Sequence, residues 1–344
     1  MLKDENNIIL DRNDCNCKKL KTLLNDIILK EKARGLLLSG GLDSSIIASI
    51  QRPQYLFTVF YKNYGNDIEY AKEISKKFQS NFNNDSHHIQ IQTKENEYLE
   101  ISEKIIEMFE TFDPIFIRNT SVVFAGLQKA SELKIKKILT GDGGDELFAG
   151  YNYLKKYYGN PDKLSQELKR LYQIMHFPAN KIGKFFGIEI SSPFLDNQII
   201  SFAKSLDVAL KVNEHDNKKW GKFILRKCFE NEITKKIAWR QKFAQEEGSG
   251  FSMISKYFEE TISENEFLLQ KKNYMKNENV VIRDKEHLFY YSTYRKYHEI
   301  PKMIDCKTNS KRCPKCLGCF MWSGKFCRKC GAYPVIPIQD YKNN

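Results

Sequence analysis

Residues 36–45 read LLLSGGLDSS, and this stretch decides the fold of the chain. Residues 35–38 form a short apolar run of the kind that makes a buried strand, and the pattern turns helical from Asp43 to Ile50. Ser39, Gly40 and Gly41 lie between them. A strand that hands over to a helix through glycines places unpaired backbone N–H groups and the positive end of the helix dipole where an anion can sit. Asp43 would repel a phosphate there unless a divalent cation lay between them, so the loop points to a nucleotide carried with magnesium.

Working outward, residues 15–33 place Leu20, Leu23, Leu24, Ile27, Ile28 and Ala33 at helical spacing. Further strands are expected at 55–61, 87–91 and 136–139. Helices are expected from Asp67, as N-cap, through Phe78, and at about 96–110 and 119–133. Strands alternating with helices predict a parallel sheet covered on both faces. From 145 to about 300 the pattern is mostly helical, with the Asn-, Lys- and Glu-rich residues 262–286 expected to be a mobile surface or linker. A second loop, residues 139–151, LTGDGGDELFAGY, crowds Asp142, Asp145 and Glu146 among Gly141, Gly143, Gly144 and Gly150. Three carboxylates so close together are costly without a cation, so this is a second metal-ligand loop.

SGGLDSS and GDGGDELFAGY, in this order, resemble the two signature loops of the synthetase domain of glutamine-dependent asparagine synthetases, within the PP-loop ATP pyrophosphatases. The similarity continues through DIEYAKEI, His87 and His88, the run Ile117, Arg118, Asn119 and Thr120, SPFLD at 192–196, KFILR at 222–226 and AWRQK at 238–242, covering about residues 18–260. The resemblance implies an α/β parallel-sheet PP-loop domain, adenine nucleotide α-hydrolase-like, with a largely helical second half. It implies ATP with its adenine near Phe57 and Val59, its pyrophosphate on Ser39, Gly40, Gly41, Ser44 and Gly141, and Mg²⁺ on Asp43 and Asp145. Lys242 would neutralise charge developing on pyrophosphate, Asp142 would assist the incoming amine although the family commonly has a glutamate there, and Arg118 would contact a carboxylate or phosphate. The implied reaction adenylates a carboxylate, aspartate by default, and passes ammonia or an amine to the acyl-adenylate with release of AMP.

The chain departs from the family in two places. Residue 2 is Leu rather than the cysteine nucleophile of a glutaminase domain, and only about 35 residues precede the loop strand, so the nitrogen is expected from free ammonia, a separate glutaminase subunit or an amine-bearing substrate. Ser191 stands where the family usually carries an arginine before PFLD.

The 344 residues are 41% hydrophobic and 28% charged, which excludes disordered and collagen-like chains, and without a long apolar run or signal peptide the expected location is the cytoplasm. Of the net charge of +12, more than half lies in residues 301–344, with nine Lys or Arg against two Asp. That tail holds two CxxC knuckles, Cys313/Cys316 and Cys327/Cys330, with the spacing of a four-thiolate Zn²⁺ ribbon. Cys15, Cys17, Cys228, Cys306 and Cys319 are expected to be free thiols. The ribbon either only stabilises the chain or contacts RNA or an acidic carrier protein through Lys311, Arg312, Lys315, Lys325, Arg328 and Lys329, with Phe320, Trp322, Phe326 and Tyr333. The expected division is an extension at 1–17, the synthetase-like domain at 18–300 and the ribbon at 305–340. Two rival functions remain: a tRNA-modifying PP-loop enzyme, which the basic tail favours, and a non-catalytic nucleotide-binding scaffold.

Overall fold

Gly35–Leu37 (β1) lies at the centre of a five-stranded sheet with Tyr55–Tyr61 (β2), His87–Thr93 (β3), Lys137–Leu139 (β4) and Glu189–Ser191 (β5), in the order β3-β2-β1-β4-β5. The β1–β2, β1–β4 and β4–β5 pairs are all parallel, and Leu36 stands between Leu56 and Leu139 in register. Gly35 is a packing requirement: a Cβ there would lie 2.3 Å from Ile138 Cδ1. The computed structural model that shows this sheet describes residues 2–82, 86–306, 311–320 and 325–336.

Contacts divide the chain into two units, the first comprising Met1–Val59, Asn66–Ile91 and Gly126–Ala244 and the second Phe60–Gly65, Gln92–Ala125 and Gln245–Asn344. The first unit has the predicted glycine turn. Helix Leu42–Gln51 follows β1 and buries Ile46, Ile47 and Ala48 against Leu20, Leu24 and Ile28 of helix Leu2–Lys30. Each such aliphatic side chain contributes about 1.5–3 kcal/mol on burial, so this layer anchors the loop between strand and helix. Gly40 has a φ of +66°, and a Cβ on it would lie 2.5 Å from the Ala71 amide nitrogen, so helix Asp67–Phe82 closes directly over the turn. Asp67, expected as the cap of that helix, is its first residue, and its carboxylate pairs with Arg240.

The second unit is built on aromatic packing. Helices Glu95–Phe109 and Lys285–Tyr297 contribute Tyr98, Tyr290, Tyr291 and Tyr294, and Phe112 from the segment after the first helix packs on Tyr291 and Tyr294; all five are fully buried. The Tyr98 and Tyr290 hydroxyls meet, and Tyr290 donates to Glu286 Oε1 at 2.8 Å. The described part of the cysteine tail belongs to this unit. No described helix is long and apolar enough to cross a membrane.

Several expectations need correction. Strand β5 and the hairpin Val212–His215/Lys218–Gly221 lie in the stretch read as mostly helical; at three and four residues they are too short to show a period. Residues expected to be mobile instead hold helix Glu264–Glu278, capped by Ser263, whose side chain accepts from Glu266 N at 3.2 Å. Cys17 is bonded to Cys228 and Cys306 to Cys319, so four cysteines read as free thiols are paired, while Cys15 is free and exposed. The first pair spans 211 residues and depends on helix Leu2–Lys30 packing along helix Phe223–Phe229, which no spacing rule reveals. A non-reducing peptide map should return the 17–228 and 306–319 linkages; alkylation of all four thiols without prior reduction would contradict both pairings.

Candidate active site and metal centre

In the first unit the two glycine-rich loops meet. A Cβ on Gly144 would lie 2.6 Å from Asp43 Cγ, and one on Gly141 would lie 3.1 Å from Asp43 Cβ, so the second loop lies bare-backboned against the aspartate of the first. Gly150 is as constrained, since a Cβ there would fall 1.9 Å from Asp145 Oδ1. Between them lies Lys222, only 3% exposed, whose ammonium bonds Asp43 Oδ2 and also lies 2.7 Å from Asp145 Oδ1. Lys242 Nζ reaches Asp145 Oδ2 at 2.9 Å from a side chain about one-third exposed.

This arrangement treats the two acids unequally. Burial pushes Asp43 above the ordinary carboxylate range, with Lys222 opposing it and the charge of Asp145 adding to it. For Asp145 burial acts the same way, but Lys222 and Lys242 together outweigh it and hold the group well below that range. Asp43 Oδ1 is buried with no hydrogen-bond partner. A carboxylate oxygen left bare beside a second, ionised carboxylate is the donor set of a hard divalent cation, so Mg²⁺ fits Asp43 and Asp145.

The first glycine loop is ordered by its own serines. Gly41 N donates to Ser39 Oγ at 3.2 Å, Ser39 N to Ser44 Oγ at 3.3 Å, and Ser44 Oγ to Gly41 O at 3.3 Å. Gly41 is the N-cap of helix Leu42–Gln51 and has no side chain to cap it, which suits an anion at that end. Asp142 accepts from Thr140 Oγ1 at 3.0 Å, and burial pushes its carboxyl up to about 6. Ser191 ends β5 in register with Leu139, the last residue before Thr140, so its position is beside the second loop.

The remaining expected residues have these surroundings. Phe57 and Val59 are 1% and 5% exposed, their side chains packed into the sheet, and expose almost no surface to an adenine. Between them Thr58 donates to Leu38 O at 2.6 Å. Arg118 belongs to the second unit, where its guanidinium is held by Glu246 at 2.5 Å and Glu286 at 3.0 Å. Sequence reading missed roles for Lys222, Arg226 and Arg240, although the motifs containing them were noted. Arg226 ties Gly221 O, at 2.8 Å, to Ala238 O and Arg240 O, at 2.5 and 3.0 Å. Arg240 holds Asp67 at 2.5 Å, lies over the Tyr70 ring and reaches Ser39 O at 3.4 Å. Together they brace the backbone before Lys242 and the loop it faces.

The second unit contains the cysteine site. The Sγ atoms of Cys313, Cys316, Cys327 and Cys330 are buried and all lie within 4.8 Å of one another. Cys313–Cys330 and Cys316–Cys327 are each 3.8 Å apart, the edge of a tetrahedron whose centre lies about 2.3 Å from each sulfur. The knuckles repeat one backbone pattern. Leu317 N donates to Cys313 O and Gly331 N to Cys327 O, both at 2.8 Å; Cys313 N donates to Gly318 O and Cys327 N to Ala332 O, both at 3.0 Å; Leu317 and Gly331 both have positive φ. The four cysteines thus form a group able to hold a metal. Of the residues expected to touch RNA or an acidic partner, Phe320 is buried, Arg312 donates to Leu317 O and Ile304 O, and Lys329 lies over Tyr294. Lys315, Lys325, Phe326 and Tyr333 are exposed, and Trp322 lies outside the described residues.

Contact between the loops can be tested by adding one methyl group. Gly144→Ala, which drives Cβ into the Asp43 carboxylate, should cost about 1–3 kcal/mol in chemical denaturation. Gly159→Ala, with φ +79° and no atom within 4 Å, should cost only its backbone strain, about 1 kcal/mol. A Gly144→Ala protein as stable as the wild type would contradict the contact.

The asparagine synthase family model matches residues 28–173 and 162–288. The chain is 32% identical over 272 residues to asparagine synthetase B [glutamine-hydrolyzing] of Escherichia coli (strain K12), covering 72% of this chain and 46% of that protein. It is 30% identical over 255 residues to the asparagine synthetase [glutamine-hydrolyzing] of Triphysaria versicolor and 31% over 256 residues to one from Arabidopsis thaliana, each match covering 68% of this chain and 42% of the relative. The chain therefore spans less than half the length of these relatives. Among solved structures, the U34-tRNA thiolase NcsA from Methanococcus maripaludis aligns over 89% of this chain and 84% of its own, at 13% identity and a TM-score of 0.26, too low to bear on fold or function. A family match over most of the chain, with both glycine loops inside it, establishes that the chain belongs to the asparagine synthase family.

Proposed function

We propose that this chain is an ATP-dependent amide-forming ligase that adenylates a small carboxylate, releasing pyrophosphate, and passes ammonia or an amine to the acyl-adenylate, releasing AMP. The observation that carries this is the convergence of Asp43 and Asp145 around buried Lys222, with Lys242 at the rim and one oxygen of Asp43 unsatisfied. Mg²⁺ held by Asp43 and Asp145 would screen the triphosphate and polarise its phosphoryl oxygens. The protein's own groups do the remaining work. Amides at the start of helix Leu42–Gln51, with Ser39 and Ser44, hold pyrophosphate; Lys222 keeps both carboxylates in place; Lys242, the more exposed lysine, meets the charge that grows on the leaving group. A carboxylate is a poor acyl donor because oxide is a poor leaving group, and adenylation replaces it with AMP.

Aspartate is the default acceptor. The nitrogen comes from ammonia, free or delivered by a glutaminase subunit, or from an amine-bearing substrate. Asp142 is suited to accept a proton from the amine, because burial places its titration near neutrality at about 6.

Carboxylate-dependent exchange of labelled pyrophosphate into ATP, screened across amino acids, tests the assignment. Exchange with one small acid and at least a ~100-fold loss in Asp43→Ala and Lys242→Ala are expected. Exchange that requires RNA would instead favour a tRNA-modifying enzyme, and nucleotide binding without turnover a scaffold. The raised Asp142 titration gives a second test. The folded state tolerates its protonated form better, so stability supplied at low pH is lost as pH rises through about 6. Asp142→Asn should therefore gain on the wild type by about 1–3 kcal/mol in urea denaturation at pH 8 relative to pH 4, while amide formation falls. A pH-independent difference would contradict the buried carboxylate.

A further inference from the structure

Both cysteine knuckles are bonded into the second unit through their backbones, and both lead to the same place. In the second knuckle, Lys329 O accepts from Phe112 N at 2.8 Å, and Arg328 O accepts from Thr111 Oγ1 at 2.7 Å. Gly331 lies so close that a Cβ on it would be 2.2 Å from Asp113 Oδ1. Asp113 Oδ1 in turn accepts from Ile115 N at 3.1 Å, so the knuckle fixes the start of helix Pro114–Glu132, which carries Arg118 and Asn119. In the first knuckle, Lys315 O accepts from Val281 N at 2.8 Å, holding the segment that enters helix Lys285–Tyr297 and carries Glu286.

These two arms close on one cluster. Arg118 joins Glu246 to Glu286, and Asn119 Oδ1 accepts from Glu246 N at 2.9 Å. Burial pushes Glu286 up to about 7 and raises Glu246, so both carboxylates depend on the guanidinium to be held as anions. Glu246 stands four residues after Lys242 in the chain. Among the described residues of the tail only Phe320, Ala332 and Val335 join the cysteines as buried apolar side chains, and four inward-facing thiols have no mutual attraction that would hold the two arms at a fixed separation.

We propose that one zinc ion bound by Cys313, Cys316, Cys327 and Cys330 is a pin that joins the two knuckles and thereby positions the Glu246–Arg118–Glu286 cluster. The metal's role is internal: it sets the spacing between the arm that delivers Arg118 and the arm that delivers Glu286. The inference does not depend on the amide-forming reaction. It requires only the tetrathiolate geometry and the bonds that leave each knuckle.

Hydrogen–deuterium exchange of the full chain, with metal content measured in parallel, tests it. The purified protein should hold one zinc per chain. Stripping the metal with excess EDTA under argon should speed exchange about tenfold or more in peptides covering 111–119, 245–249 and 285–290, as well as in 311–335, while helix Leu42–Gln51 is unchanged. Thr111→Val, which removes the hydroxyl's bonds to Arg328 O and Lys329 O and the one it accepts from Asp113 N without touching a ligand, should keep its zinc yet raise exchange several-fold beyond its own turn, at 114–119 and at 245–249. Absence of zinc overturns the proposal. So does faster exchange confined to 311–335, or an equal rise throughout the chain, since neither is the signature of a pin acting on this cluster. A Thr111→Val protein exchanging as wild type would equally overturn it.

Discussion

The first unit depends on one charge arrangement: two carboxylates from two different loops, buried on either side of a single lysine. Neither aspartate could be buried as an anion alone, and Lys222 could not be buried as a cation alone. Together they still leave Asp43 short of partners, because Lys242 reaches only Asp145 directly. The site is therefore stable enough to fold and incomplete enough to bind. In the proposed reaction a cation-bound polyphosphate would supply the missing positive charge on one side and take up the helix amides on the other.

The surrounding structure serves that arrangement. Gly141 and Gly144 have no side chains where side chains would separate the two loops, and Gly150 leaves room for Asp145 and Lys222. The hairpin before Lys222 ends on Gly221, where a Cβ would fall 2.0 Å from Ala149 O, so the lysine's strand and the second loop are in backbone contact. Arg226 then joins Gly221 O to Arg240 O, and Arg240 reaches Ser39 O. In the second unit the equivalent role falls to the Arg118 cluster and, through it, to the cysteine knuckles.

Much of this was legible in the sequence because it is local. An apolar run, a glycine turn and an amphipathic helix identify a parallel-sheet phosphate loop whatever follows them, and β1, β2, helix Leu42–Gln51 and the paired CxxC spacings are of this kind. What could not be read rests on contacts between distant residues. Lys222 lies 179 residues from Asp43, and its position comes from where a hairpin of two four-residue strands delivers it. The disulfides and the fate of Arg118 share that character, since an arginine in the second turn of a helix is equally suited to a substrate or to two buried glutamates until the glutamates are placed. Phe57 and Val59 show the complementary limit: their strand was legible, but which groups of it remain exposed was not.

The central claim is that Asp43 and Asp145 form one cation site shared by both glycine loops, and the most direct measurement is anomalous diffraction from crystals of the full chain grown with ATP and Mn²⁺ in place of Mg²⁺. The account predicts an anomalous peak bonded to Asp43 Oδ1 and to Asp145, with the nucleotide's phosphates at the Gly41–Ser44 turn. Nucleotide bound in that turn with no manganese on either aspartate, or manganese and nucleotide bound elsewhere, would contradict it.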